Sequence, residues 1–193
     1  MTQNGTKEFI EIGPGKVLSG LVKRIDREAK VSAINNEEDI NKLKLTLMNF
    51  EGKKILVTGA TGGIGGAIVK KFLSLNASVL GTGTNLEKLN LLKNEFPSLL
   101  TEQFNISQHE KIDEFIDKVF SSLGGLDILV NNAGITKDNL SLRMKSEEWQ
   151  KVIDINLTST FYLCKSAIKK MLKNKFGRIV NITSIVGHTG NVG

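Results

Sequence analysis

The sequence predicts an α/β fold built on a doubly wound parallel sheet. Two observations carry that prediction. From Lys54 onward, short apolar runs alternate with amphipathic stretches of helical period, the pattern of βαβ units. The first run also ends in a glycine-rich turn, Thr58-Gly59-Ala60-Thr61-Gly62-Gly63-Ile64-Gly65, that opens directly into a helical pattern. A chain of 193 residues, 40% of them hydrophobic, has enough apolar material for a core, which excludes wholesale disorder.

The elements follow in order. Lys54–Thr58 reads as a strand, and Ile64–Leu75 as a helix with Ile64, Ala67, Ile68, Phe72 and Leu75 on its apolar face. Ser78–Thr82 reads as a strand, and Asn85–Glu95 as a helix ended by Phe96-Pro97. Leu99–Phe104 is a strand, and Gln108–Ser122 a helix ended by Gly124-Gly125. Asp127–Val130 is a strand running into Asn131-Asn132-Ala133-Gly134. Ser146–Asn174 is one long helix or two joined, and Arg178–Thr183 is the fifth strand. The expected strand order is 3-2-1-4-5, truncated after the fifth strand, whose covering helix would follow Gly193. An edge left this way favours association or aggregation.

A seam is expected near residues 45–52. Upstream of it lie a strand (Phe9–Ile12), a turn (Gly13-Pro14-Gly15), a helix (Val17, Leu18, Leu21, Val22, Ile25), a strand (Lys30–Ile34) and a helix start at Glu37-Glu38-Asp39. This small α+β extension is too short to bury a core of its own. The expected domains are residues 1–47, extension and linker, and 48–193, the doubly wound unit.

Composition excludes several functions. Cys164 is the only cysteine, so neither a disulfide framework nor a cysteine-based zinc site is expected. His109 and His188 stand far apart without a motif, and no metal is expected. The net charge of +6 is modest, and no arginine-rich or aromatic-interleaved patch points to nucleic acid. No run of 18 apolar residues could span a membrane, and the N-terminus lacks a secretory pattern. A cytoplasmic protein is expected.

The glycine-rich turn carries the chemistry. Glycines there permit a tight turn, close approach of backbone to a pyrophosphate, and close packing of helix on strand. The following helix N-terminus then offers free N–H groups and a positive dipole end to phosphates. The bland alternative is a βα turn that happens to be rich in glycine.

The spacing of Gly59, Gly63 and Gly65 resembles that of the short-chain dehydrogenase/reductase family, whose fold is Rossmann-like. So do Asn131-Asn132-Ala133-Gly134 after the fourth strand, Asn156 in Asp154-Ile155-Asn156-Leu157, and Ser184 in Val180-Asn181-Ile182-Thr183-Ser184. The resemblance covers about residues 49–193. Within the family, Gly134–Leu140, Arg143-Met144, Glu148-Trp149 and Gly177–Ile182 are similar to the bacterial 3-oxoacyl-[acyl-carrier-protein] reductases of fatty acid synthesis. The extension, from Phe9 to Leu21, resembles the C-terminal end of malonyl-CoA:acyl-carrier-protein transacylases, without their catalytic serine or histidine. Met48 then resembles an ordinary reductase start. Two joined reading frames and a natural fusion both fit.

The resemblance implies site roles. Gly59, Thr61, Gly62, Gly63, Ile64 and Gly65 would cradle the cofactor phosphates. Thr84 would meet its ribose end, Asn105 and Ile106 would bracket adenine, and Asn132, Ala133 and Gly134 would line the cofactor. Ser184 would hold the substrate carbonyl and Asn156 a water relay. The family's proton-donating tyrosine and its lysine four residues later would lie beyond Gly193. The only tyrosine here is Tyr162, with Ser166 four residues on, and it reads as a packing residue beside Leu157, Phe161 and Leu163. This chain is therefore expected to be inactive as a reductase; the alternatives are a non-catalytic dinucleotide- or carrier-binding fragment, or another short-chain dehydrogenase/reductase. For Ser184 the plain alternative is a hydroxyl at a strand end, and for Asn156 a helix asparagine bonding backbone.

The second strand ends Leu80-Gly81-Thr82-Gly83-Thr84-Asn85, with no acid before Glu87. NAD sites place an acid there, so NADP(H) is expected. Gly62 stands where NADP-using relatives often carry a basic residue, and Lys88 could supply charge instead. After Asp154 no acid appears, while Lys165, Lys169, Lys170, Lys173, Lys175 and Arg178 do. Such a field would steer an acidic partner. The resemblance implies acyl carrier protein bearing a 3-oxoacyl group, docking at Lys175 and Arg178; a solvated helix face is the alternative. Relatives form homotetramers through the helix around Tyr162 and the helix beyond the fifth strand, an assembly this chain is not expected to complete.

Overall fold

A computed structural model of the chain describes residues 8–12, 15, 17–40 and 50–190. The chain divides into two compact units, residues 1–49 and 50–193. The expected seam falls partly on residues 41–49, and the turn residues Gly13 and Pro14 likewise lie outside the described residues.

In the first unit, β1 (Glu8–Ile12) pairs in parallel with β2 (Lys30–Ile34) across helix α1 (Val17–Ile25). Residues 37–40 are helical. Glu11 anchors α1: its carboxylate accepts hydrogen bonds from Leu18 N (3.1 Å), Ser19 N (2.8 Å) and Ser19 Oγ (2.6 Å). These bonds, that from the Ser19 hydroxyl first, hold the Glu11 carboxyl below its ordinary pKa. No residue of α1 is buried, and Ile12, Val17 and Ile25 are largely exposed. A single βαβ unit has too few layers to bury its apolar faces.

The second unit contains a five-stranded parallel sheet of order β5-β4-β3-β6-β7. Its elements are β3 (Lys54–Thr58), α2 (Gly63–Ser74), β4 (Ser78–Gly83), α3 (Leu86–Glu95), β5 (Leu100–Gln103), α4 (Ile112–Leu123), β6 (Ile128–Asn131), α5 (Ser146–Ile153), α6 (Ser159–Lys173), β7 (Arg178–Asn181) and α7 (Val186–Thr189). In the unit's own numbering this is the 3-2-1-4-5 order expected. The central strand β3 pairs with β4 from Lys54↔Ser78 and with β6 from Ile55↔Ile128.

Alternation along β3 divides the core. Leu56, with Leu80 and Leu129, faces α4 and α6 through Ile112, Phe115, Ile116, Val119, Leu163 and Ala167. Ile55 and Val57, with Val79, Ile128 and Val130, face the opposite layer through Val69 and Leu99. A central parallel strand covered on both faces reads as a continuous apolar run, which Ile55-Leu56-Val57 is.

Several details differ from expectation or refine it. On α2 the buried residues are Gly65 and Val69, while Ile64 and Ala67 are exposed. Packing of Gly65 directly on the turn rotates the helix, so Ile64 faces the cleft described below. The fifth strand ends at Asn181 rather than Thr183. Ser146–Lys173 is one continuous helical path interrupted by a π turn, Asp154–Thr158, between α5 and α6. Tyr162 does pack, but at the surface: it is 37% exposed and stacks on the His109 ring at 5.4 Å. Of its expected neighbours only Leu163 is buried, while Leu157 and Phe161 are exposed.

Candidate dinucleotide cleft

The loops that leave β3, β4, β5 and β6 meet at the carboxyl ends of the strands. There the sheet order reverses, and open α/β sheets form their ligand crevices at such a point. A cleft of about 690 Å³ occupies it. Of the cofactor residues expected from sequence, Gly59, Thr61, Gly62, Ile64, Gly65, Thr84, Asn105, Ile106, Asn132, Ala133 and Gly134 all line it. Gly63 does not, and a Cβ placed on it would meet nothing within 4 Å.

The other two motif glycines are required by contact. Gly59 has φ +64°, and a Cβ there would lie 2.9 Å from Ala133 Cα. A Cβ on Gly65 would overlap Gly59 O and come within 2.7 Å of Asn132 Nδ2. The turn is thus drawn so tightly against α2 that only hydrogen fits, leaving backbone at the cleft floor.

Thr58 and Asn132 hold that geometry. Asn132 Nδ2 donates to Thr58 O (2.9 Å) and Gly59 O (3.1 Å). The Thr58 hydroxyl accepts from the amides of Asn132 and Ala133, both at 3.0 Å, and donates to Val130 O at 3.4 Å. The glycine turn and the loop after β6 are thereby stitched together. The side chain of Asn132 serves this stitch, and its lining role falls to its remaining surface. Sequence reading missed Thr58, whose only local signal is a hydroxyl at the end of an apolar strand.

A second tie runs from the β5 loop to the π turn. Ser159 Oγ, fully buried, lies 2.8 Å from Ile106 O and 2.7 Å from Asp154 O. His109 Nε2 reaches Asp154 O at 3.3 Å and Ser159 Oγ at 3.1 Å. π turns of this kind are frequent at functional sites. Here the turn carries Asn156, whose Oδ1 accepts from Ile135 N (2.9 Å) and whose Nδ2 donates to Ile135 O (2.8 Å). Both ends of the Asn156 amide are therefore committed to the cleft-wall backbone. A Cβ on Gly134 would approach Asn156 Oδ1 at 3.3 Å.

Ser184 stands apart from this group, exposed beyond the end of β7. Its Oγ accepts from Val186 N at 3.3 Å, at the start of α7. No acceptor holds its hydroxyl proton among the described residues. Ser184 and Asn156 are not brought together by any described contact.

The ribose end follows the sequence reading in part. Asn85 caps α3 through Lys88 N (2.9 Å), so Glu87 lies in that helix's first turn, outside the cleft. Lys88 borders a shallow groove with Thr61 rather than the cleft itself. The cleft also includes Thr82, which is buried and whose hydroxyl has no partner among the described residues. Lys151 and Ile155, from α5 and the π turn, are further lining residues that sequence reading missed. A glycine cradle that a Cβ would fill, an orphaned threonine hydroxyl and no carboxylate on the lining fit a dinucleotide. Among the described residues, no group of three or more histidine, cysteine or acidic side chains could hold a metal ion.

The basic C-terminal stretch is less uniform than its sequence suggests. Lys169 pairs with Asp113 at 3.0 Å and Lys170 with Asp117, both acids of α4. Ser166 donates to Asp113, and this bond, followed by Lys169, lowers the Asp113 pKa. Arg178 and Lys53 lie over the Phe176 ring at 5.0 and 4.2 Å. Lys175 and Arg178 sit at the amino end of β7, whereas the cleft lies at the carboxyl ends of the strands.

Comparison with known proteins gives a consistent result. The family model described as short chain dehydrogenase matches residues 53–193. The chain is 42% identical over 151 residues to the 3-oxoacyl-[acyl-carrier-protein] reductase FabG of Aquifex aeolicus, covering 76% of this chain and 61% of that protein. It is 48% identical over 148 residues to the enzyme of the same name from Rickettsia felis, and 43% over 147 residues to that of Escherichia coli. Each match covers 76% of this chain and 60% of the relative. The chain thus spans about 60% of the length of these relatives. Residues 1–49 lie outside the family match.

Proposed function

Because the chain belongs to the short chain dehydrogenase family, we propose that it carries the dinucleotide-binding part of an NADP-dependent 3-oxoacyl-[acyl-carrier-protein] reductase. The reaction is reduction of a 3-oxoacyl group to a 3-hydroxyacyl group on acyl carrier protein, in cytoplasmic fatty acid synthesis. The observation that carries this reading is the cleft floor, where Gly59 and Gly65 admit no side chain and Asn132 locks the turn. Among the described residues no helix is long and apolar enough to cross a membrane.

The residues divide the work as follows. The amides at the start of α2 and the hydroxyl of Thr61 would hold phosphate, and Thr84 the ribose end. Asn105 Oδ1 accepts from Ser107 N (3.1 Å) and Ser107 Oγ (2.9 Å), which shapes the loop that would face adenine. When bound, the dinucleotide supplies a hydride. Ser184, with its hydroxyl proton uncommitted, would donate a hydrogen bond to the substrate carbonyl oxygen, where negative charge develops. Asn156 fixes the Ile135 backbone, and so the wall beside the reacting end.

Titrating the chain with NADPH and NADH, by nucleotide fluorescence, tests the reading. NADPH is expected to saturate the chain, and more tightly than NADH, because no carboxylate lines the β4 end of the cleft to repel a 2′-phosphate. Failure to saturate with either, or tighter NADH, would overturn it.

Carrier docking is proposed at Lys175 and Arg178. Lys175→Glu is expected to weaken binding of acyl carrier protein about threefold or more at low salt, with the difference fading as salt rises. Arg178 is left intact in this test because it stacks on Phe176. Equal affinity of both chains at low salt would sink the docking assignment.

A further inference from the structure

Among the described residues, Lys151 is the one side chain lining the cleft that carries a formal charge. Its ammonium makes no ion pair or side-chain hydrogen bond among the described residues. By contrast Lys118, Lys169 and Lys170 each hold an acid. An unpaired cation facing a cleft is available to a ligand.

Its helix face is set by spacing. Lys151 lies on α5 one helical turn before Ile155, and both line the cleft, as i and i+4 residues share a helix face. The next residue, Asn156, is bonded twice to the Ile135 backbone, and Ser159 ties the π turn to Ile106. The π turn that follows Lys151 is therefore tied to both Ile135 and Ile106.

The opposite wall lacks charge. The turn Gly59-Ala60-Thr61-Gly62-Gly63-Ile64-Gly65 offers backbone amides and one hydroxyl, and Lys88 faces a separate groove. A dinucleotide carries at least two negative charges on its diphosphate. Amides at a helix N-terminus offset only part of that charge.

We propose that Lys151 is a phosphate-binding residue of this cleft, and that its target is the diphosphate bridge rather than a 2′-phosphate. The strand order separates Lys151 from a 2′-phosphate, which leaves the diphosphate as the anionic group within its reach: Lys151 follows β6, on the far side of β3 from β4, whereas Thr84, at the ribose end, follows β4. The inference rests on the dinucleotide reading given above, and it adds a contact that the glycine turn does not supply.

The test compares the 193-residue chain with Lys151→Met and Lys151→Arg by fluorescence titration with NADH and with NADPH. Circular dichroism checks the fold, which the exposed Lys151 is not expected to support. Lys151→Met is expected to weaken both nucleotides about tenfold, by similar factors, and to make binding less salt-dependent. Lys151→Arg is expected to stay within about threefold of the parent for both. Weakening of NADPH alone would overturn the diphosphate assignment in favour of the 2′-phosphate. Unchanged affinity for both would overturn the proposal while leaving the dinucleotide reading intact. Absence of binding by the parent chain would overturn both together.

Discussion

Gly65→Ala is expected to destabilise the chain by about 1–3 kcal/mol and to weaken NADPH binding by more than about tenfold. The added methyl would overlap Gly59 O and lie 2.9 Å from Gly59 C. Both are backbone atoms of a turn at φ +64°, so neither can swing aside as a side-chain tip could. Its third neighbour, Asn132 Nδ2, is held by two carbonyls. Relief requires α2 to lift from the turn, which opens the cleft floor and breaks the stitch to β6.

Gly63→Ala is the control. It sits two residues away in the same helix turn, at a φ outside the left-handed region, with open space where its Cβ would be. Alanine there should raise stability by up to about 1 kcal/mol through helix propensity and a less flexible unfolded chain. Chemical denaturation of the two variants beside the parent decides the matter. Equal stability of Gly65→Ala and the parent would refute the steric argument. Loss at Gly63 equal to that at Gly65 would show that glycine content, rather than contact, governs the turn.

The same contrast shows what a sequence exposes. The spacing of Gly59, Gly63 and Gly65 marks a turn that approaches phosphate, but spacing does not say which glycine is pinned. Strand and helix alternation is local, so the five strands were legible, and their order came with the doubly wound fold class; most lining residues were legible too, because they follow strand ends. What stayed hidden depends on partners far along the chain. Ser159 meets Ile106 across 53 residues, Asn132 meets Thr58 across 74, and Lys169 meets Asp113 across 56. The last of these explains why the basic C-terminal stretch overstated its free charge. The rotation of α2 was missed because helical period alone cannot weigh a glycine as the closest contact. Lys151 was missed because an isolated lysine in Glu147-Glu148-Trp149-Gln150-Lys151 looks like any solvated helix face.

A polypeptide of these 193 residues is expected to bind NADPH and yet show no carbonyl-dependent oxidation of it above the uncatalysed rate. Hydride addition to a ketone leaves an alkoxide that must take up a proton. Ser184 can share its hydroxyl proton in a hydrogen bond, but an ordinary serine is too weak an acid to give it up. A phenol near pKa 10 can serve near neutral pH when an adjacent cation lowers it. Tyr162 is the only phenol, and Ser166 stands four residues on, buried and bonded to Asp113. Among the described residues, the cation over the Tyr162 ring, Lys165, is 5.9 Å from its centroid, and the ring itself stacks on His109 outside the cleft lining. Incubation with NADPH and a 3-oxoacyl thioester, followed by absorbance, checks the expectation. Joining a segment that supplies a tyrosine and, four residues later, a lysine after Gly193 should raise the rate by at least about 100-fold, the low end of general acid catalysis. Turnover by the unextended chain would contradict the argument. If that turnover vanished in Tyr162→Phe while NADPH affinity held, Tyr162 would be the donor, and the helix bearing it would have to reach the cleft in a way the present packing on His109 does not allow.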